Sequence, residues 1–203
     1  MRKTAVLLFL LIGIAAFAFA QESDEPPIFD DWDIYTTDLY APGDQVFVIS
    51  LGTFFPTLFL NNFKKIDHNI SPPVGGIGTL SYNYFLNAHI FIGGELGGMF
   101  ASTLADHMLY LIPLGVRGGY QFYFWRFEFP VTLTIGMVWQ RYLSLGYYGF
   151  FLKGGGSAFY RFNSDWSFGL NVNWGWFPQW TSNRSENVDG NMLELTLAAR
   201  YHF

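Results

Sequence analysis

The chain has 203 residues, of which 51% are hydrophobic, 21% aromatic and only 13% charged, with a formal net charge of −5 and no cysteine. This length allows one domain with at most a small appendage. Soluble domains carry about 25% charged residues, so the composition excludes an ordinary water-exposed surface. The lack of cysteine excludes disulfides, thiolate metal sites and a lipid-modified N-terminal cysteine.

Residues 1–20 have the layout of a cleaved secretory signal. Two basic residues precede an apolar run, and the small residues Ala18 and Ala20 frame a signal-peptidase site. The alternative is an uncleaved anchor helix, against which the shortness of the apolar run and the placement of the site both argue. We therefore expect export from the cytoplasm and a mature chain that begins at Gln21.

Residues 21–44 form an acidic arm, which holds eight acidic residues and no Lys or Arg. Charge blocks of this kind are usually solvated, so we expect the arm to lie on the periplasmic side of the packed domain. Asp30, Asp31 and Asp33 could be read as a cation site, but they lack the glycine turn and distal Glu of a calcium loop. We expect neither a metal site nor a cofactor.

From Gln45 onward apolar residues recur with a period of two, which predicts β-strands. No run of 18 apolar residues that could form a spanning helix follows residue 20. In residues 166–176 every even position is apolar or aromatic, whereas the odd positions hold Ser, Gly and Asn. The same two faces predict eight strands, at residues 45–56, 75–86, 89–101, 107–124, 127–140, 147–162, 166–176 and 190–203.

The connections between these strands alternate in length. Tight turns are predicted near Asn87, near Trp125 and at residues 163–165, and longer loops join strands one to two and seven to eight. This alternation is typical of an antiparallel up-and-down barrel in an outer membrane. With eight strands, both chain ends fall at the short-turn end, which is the periplasmic one.

The two strand faces distinguish a membrane barrel from a soluble one. A lipocalin-like barrel would point large apolar side chains inward around a ligand. Here small and polar residues occupy one face and large aromatic residues the other, which favours a narrow lumen and a lipid-facing outside. Aromatic residues concentrate near the strand ends, which indicates interfacial girdles.

The final strand ends on an aromatic residue. Its apolar face includes Leu195, Leu197, Ala199, Tyr201 and Phe203. With this pattern residues 45–203 resemble the outer-membrane β-barrel superfamily, and in size and strand count they are most similar to the OmpA-, OmpX- and OmpW-like barrels. The resemblance implies that the assembly machinery recognises this strand, and that outer-membrane lipid and lipopolysaccharide or its equivalent contact the protein.

Charged residues on the polar face are the main candidate functional group, because eight strands enclose an interior that side chains can fill. The favoured interpretation is a paired network that plugs the lumen, as in the OmpA-like barrels that the chain resembles. The alternative is a narrow ion path or gate that opens when the pairs exchange. The six candidates are Glu95, Arg117, Glu128, Lys153, Glu194 and Arg200.

Three prolines, Pro56, Pro113 and Pro130, fall in or near the predicted strands and predict bulges, because proline cannot donate to a ladder. The resemblance to OmpW-like barrels implies a second function, in which small apolar molecules enter a hydrophobic mouth and leave sideways into the membrane. Rim aromatics are more often membrane anchors. The candidate lining residues are Phe54, Phe55, Pro56, Trp176, Phe177 and Trp180.

An enzyme is the third class considered. Ser102, Thr103, Asp106 and His107 are the nearest approach to a nucleophile, base and acid grouping. Short polar loops contain such residues by chance, and the His and Ser pattern of lipid A deacylases is absent. No basic stripe or nucleic-acid motif is present. The sequence therefore predicts a non-catalytic structural or surface-interaction barrel, with a passive channel for small or hydrophobic solutes as the alternative.

Overall fold

The computed structural model describes most of the chain after residue 39. The predicted signal and residues 21–39 of the acidic arm lie outside the described part, as do Thr103, Asp106 and His107. No helix of the described part is long and apolar enough to cross a bilayer. The described ranges are 40–61, 64–66, 72–102, 108–142, 145–180 and 187–203.

The described residues form nine antiparallel strands. They are β1 Gln45–Asn61, β2 Lys64–Ile66, β3 Gly75–Phe85, β4 Ile90–Ser102, β5 Met108–Phe124, β6 Phe127–Tyr142, β7 Leu145–Arg161, β8 Trp166–Gln179 and β9 Val188–His202.

Eight of these strands close into a barrel. From β3 to β9 each strand pairs with the next in sequence, and β1 pairs with β3 on one side and with β9 on the other. The predicted eight-stranded up-and-down barrel is therefore confirmed. β2 was not predicted: β1 continues to Asn61, past its predicted end at residue 56, and its last residues form a hairpin with β2.

Tight turns define one end of the barrel, which we call the turn end. Asn87 Oδ1 accepts backbone N–H groups from residues two and three positions later, at 2.9 and 2.7 Å. Asn163 repeats this arrangement at 3.0 and 2.7 Å. The third turn has Trp125 at φ 57°. Phe203 also lies here, where its N–H donates to Gln45 O at 3.0 Å. The opposite end is called the loop end.

The strand prolines occur where ladders are interrupted. The register of β1 against β9 shifts between Pro56 and Leu58, which confirms the predicted bulge. Pro113 and Pro130 instead lie in short gaps of the β4–β5 and β6–β7 ladders, with the same register on both sides of each gap. Both residues stay aligned in the β5–β6 ladder. Each missing N–H therefore disrupts pairing on one side of its strand only.

Large apolar side chains cover the outside of the barrel. Leu51, Leu114 and Leu197 are 66%, 62% and 69% exposed. A contiguous apolar surface of this kind is far larger than soluble monomers expose. Aromatic residues surround it near both ends, as in the interfacial girdles of outer-membrane barrels. Those at the turn end include Tyr84, Phe122, Phe124, Trp125, Phe162 and Trp166, and those at the loop end include Phe100, Tyr110, Tyr148, Trp174 and Trp180.

Inward glycines allow neighbouring strands to approach closely. A Cβ added to Gly136 of β6 would collide with Leu114 O and Gly115 Cα of β5. Gly98 of β4 points outward, and nothing lies within 4 Å of a Cβ built there. The two glycines share a strand conformation and differ in the space around them.

We predict that Gly136→Ala lowers the free energy of unfolding by about 1–3 kcal/mol, because overpacked sites force backbone shifts. Gly98→Ala is the matched control and should change stability little. Urea titrations of the heat-modifiable gel shift in detergent would measure both variants. Equal midpoints for the two variants would contradict close packing at Gly136.

Candidate functional site

Inward side chains fill the lumen in three layers. A central layer contains four charged residues, the loop-end layer is apolar, and the turn-end layer combines aromatic and charged side chains. All six charged residues predicted to face the lumen are buried on inward positions. They form two clusters rather than one network.

The central ion cluster consists of Glu95, Arg117, Lys153 and Glu194. Arg117 Nη1 lies 3.1 Å from Glu95 Oε2 and donates to Ser81 Oγ at 2.9 Å. Lys153 Nζ pairs with Glu95 Oε1 and with Glu194 Oε2, the latter at 3.2 Å. Two acids and two bases balance, and Lys153 is the ammonium shared between the two carboxylates.

Short polar side chains surround the central ion cluster. Asn171 Nδ2 donates to Ser50 Oγ at 3.1 Å and to Thr196 Oγ1 at 2.9 Å. These residues belong to β8, β1 and β9, so their hydrogen bonds cross the barrel closure. The narrow interior explains why small hydroxyl and amide residues occupy these positions.

Glu128 is the centre of the turn-end cluster and is completely buried. Its Oε2 accepts from Tyr40 Oη at 2.8 Å, Gln121 Nε2 at 2.9 Å and Arg200 Nη1 at 2.9 Å. Its Oε1 lies 3.4 Å from Arg161 Nη1. Neither Tyr40 nor Arg161 was a predicted site residue. The alternation of β7 places Arg161 on the same inward face as Lys153, so the sequence could have identified it. Tyr40 precedes the first strand, so no strand pattern includes it.

His202 extends the turn-end cluster. Its Nε2 lies 2.7 Å from Ser167 Oγ and its Nδ1 lies 3.0 Å from Tyr40 Oη. Because Tyr40 donates its proton to Glu128, Nδ1–H donates to Tyr40, and Nε2 of the neutral imidazole then accepts from Ser167. This pair resembles a nucleophile and its base, but Ser167 is fully buried and offers no approach to a substrate.

The loop-end layer is an apolar cluster that the sequence analysis missed. Its aromatic members are Phe54, Phe151 and Phe177, and the last two stack with ring centroids 5.8 Å apart. The expectation of a uniformly small and polar inward face is wrong here. The alternation of each strand could have predicted this cluster, since all of its members occupy inward positions. The remaining members are Ile77, Met99, Ala101, Leu111, Val138 and Met192.

The six predicted mouth residues do not form one lining. Phe54, Pro56 and Phe177 are buried inside the barrel, whereas Phe55 and Trp180 are exposed outside. Trp176 is half-buried on the outward face, where its ring contacts that of Trp180. Adjacent residues on a strand point to opposite faces, so a continuous aromatic stretch cannot line a single route.

The β7–β8 ladder is incomplete at the loop end. Its last described pair is Leu152 with Trp176, although β7 begins at residue 145 and β8 continues to residue 179. Tyr147 bridges the gap: its hydroxyl donates to Trp180 O at 3.1 Å and accepts Trp180 N–H at 2.8 Å. At the same loop end of the barrel, Gln179 Nε2 of β8 donates to Gln140 Oε1 of β6.

The predicted assembly residues in β9, and Phe203 directly after it, all point outward. Leu195 and Phe203 are exposed, as is Leu197, and Tyr201 packs edge-on against Phe203. Their strand pairs with β8 and β1 along its length. Recognition of this strand by an assembly machinery stays a prediction. In the described part of the chain, no group of three or more His, Asp or Glu could hold a metal ion.

Two sequence comparisons found proteins similar to this chain. A protein-family model to which no activity is assigned matches residues 22–201. An uncharacterised protein of Treponema pallidum (strain Nichols) is 26% identical over 129 residues, which are 64% of this chain and 59% of the relative. The aligned part thus spans less than two thirds of the relative's length.

Two solved structures share the fold. Neisserial surface protein A has a TM-score of 0.53 at 10% identity, covering 79% of this chain and 97% of that chain. The outer membrane protein OprG from Pseudomonas aeruginosa has a TM-score of 0.51 at 11% identity, covering 81% and 97%. The predicted resemblance to small outer-membrane barrels is therefore confirmed at the level of the fold.

We predict that Lys153→Met is strongly destabilising, by roughly 3–5 kcal/mol, because it leaves a buried carboxylate without its counter-charge. Lys153→Met combined with Glu194→Gln should recover most of this loss, since Glu95 keeps Arg117. Urea unfolding of both variants would measure the difference. A single variant no less stable than the double variant would refute the shared role of Lys153.

Proposed function

Because this chain belongs to the protein family whose model spans residues 22–201, and has the fold of small outer-membrane barrels, we propose that it is a non-catalytic integral protein of a bacterial outer membrane. Its lumen is closed to ions and its interactions occur at the outer surface. Residues 1–20 direct export, the acidic arm lies in the periplasm, and the barrel assembly machinery reads β9. Lipid and lipopolysaccharide or its equivalent contact the outside.

The packing of the lumen is the observation that supports closure. A hydrated ion would have to displace Phe54 and Phe177 at the loop end, separate the central ion cluster, and then pass the buried Glu128. Separating buried pairs costs several kcal/mol per ion. Three layers in series therefore support a barrel that does not conduct.

The outer surface supports the membrane location. Its exposed leucines and aromatic girdles form an apolar surface suited to lipid, which a water-soluble barrel would bury. If the lumen does not transport, the surfaces left for a partner lie at the loop end. One such surface is the β1–β2 hairpin, which continues past the end of the β1–β3 ladder and exposes Lys64 and Lys65.

We expect the refolded protein to show no stepwise current in a planar lipid bilayer, because all three layers must open before an ion can pass. A heat-modifiable gel shift would first establish that the barrel has formed, and a large porin reconstituted in the same way provides the positive control. Stepwise currents altered by Arg117→Ala or Glu95→Gln would make the central ion cluster a gate and overturn the proposal.

A passive conduit for apolar solutes is the second candidate function. Two observations favour it: the loop-end layer of the lumen is apolar, and the β7–β8 ladder ends at Leu152 and Trp176 beside that layer. A solute could enter the apolar layer and leave between these strands. Tyr147 would have to release Trp180 for this route to open.

Uptake of an apolar fluorescent probe by lipopolysaccharide-bearing cells that express the barrel separates the two candidates. A closed barrel should leave uptake at the level of cells without it. Faster uptake that Phe177→Asn reduces would support the conduit, because a polar group in the apolar layer disfavours an apolar solute. Neither a closed barrel nor an apolar conduit should conduct ions.

A further inference from the structure

The residues that precede β1 turn back into the barrel. Asp44 N–H donates to Ala41 O at 3.2 Å, and Ala41 N–H donates to Asp44 Oδ2 at 2.8 Å. Gly43 has φ 104°, a conformation that glycine adopts without strain, and its N–H donates to Phe85 O at 2.9 Å. This turn reverses the chain and directs Tyr40 into the lumen at the turn end.

Tyr40 is an inserted side chain rather than part of a strand. It is only 2% exposed, and its ring stacks on Phe85 with centroids 4.0 Å apart and planes 7° from parallel. The Arg161 guanidinium lies 5.3 Å from the ring centroid, and the hydroxyl contacts Glu128 and His202. The ring therefore fills the turn-end mouth, where it contacts both an apolar side chain, Phe85, and charged side chains.

The mouth presents complementary groups to a neutral phenol. Glu128 Oε2 accepts a hydrogen bond and His202 Nδ1–H donates one, and the single Tyr40 hydroxyl takes part in both, at 2.8 and 3.0 Å. Burial, followed by the charge of Glu128, raises the pKa of Tyr40 well above its ordinary value, so the hydroxyl keeps its proton. Phenylalanine would keep the stacking and lose both hydrogen bonds.

We propose that Tyr40 is a stopper supplied by the segment that precedes β1: its ring closes the turn-end mouth of the lumen and anchors residues 40–44 at that mouth. Removing the ring would open the turn-end layer to solvent from this side. The inference goes beyond the proposed function and does not depend on whether the barrel conducts, because the other two layers lie further along the axis.

A single introduced cysteine can report the opening, because the chain has none of its own. Val46 is the position of choice: it is buried, it lies opposite His202 in the β1–β9 ladder, and it belongs to the same apolar cluster as Tyr40. Val46→Cys should react slowly with a charged thiol reagent. Adding Tyr40→Ala should accelerate labelling at least about tenfold, since a protected site becomes open.

Control variants separate local opening from unfolding. Ala101→Cys in the loop-end layer should label equally slowly with or without Tyr40→Ala. Gly43→Val should accelerate labelling at Val46→Cys, because a β-branched residue is strained at that φ, whereas Pro42→Ala should not. Tyr40→Phe should give an intermediate rate. Labelling of Val46→Cys that is equally fast with Tyr40 intact, or equally slow after both Tyr40→Ala and Gly43→Val, would overturn the stopper.

Discussion

The pairing of β9 with β1 is the interaction on which the rest of the structure depends. It satisfies the backbone groups of what would otherwise be two open sheet edges, which lipid cannot hydrate. Closure also gives every strand one face toward the lumen and one toward the outside, and the alternation within each strand decides which residues lie on which face. The ladder continues from Val46 and His202 to Leu60 and Asp189 and absorbs the bulge at Pro56.

Closure creates an interior too narrow to leave its polar groups hydrated, and the charges inside are arranged accordingly. Lys153 is shared by two carboxylates, and Glu128 collects donors from four side chains. Buried charges persist where they are paired and hydrogen bonded. The apolar layer around Phe151 fills the loop end, and Tyr40 fills the turn end. The interior thus resembles a packed core more than a pore.

Sequence reasoning recovered the barrel because strand parity is a local property. A period of two identifies the lipid face of β8 without any knowledge of its neighbours, and it places Glu95 and Arg200 inside. The prediction was wrong where residues were assigned by their apolar character and not by their position in the strand alternation. Phe54 and Phe177 are large and apolar and were assigned to a rim, although their positions alternate with outward residues. Tyr40 precedes the periodic region, so no pattern could mark it.

The sequence by itself determined the number of barrel strands, the tight turns and the face on which each charge lies, because these follow from alternation and turn chemistry within a few residues. Only the tertiary structure decided which charges pair, that they form two clusters, and that Tyr40 enters the lumen to meet Glu128, 88 positions away. The physical reason is register. The position of a residue along the barrel axis depends on the register of its strand against the neighbouring strands. Bulges such as that at Pro56 change this register, and the sequence pattern does not reveal it.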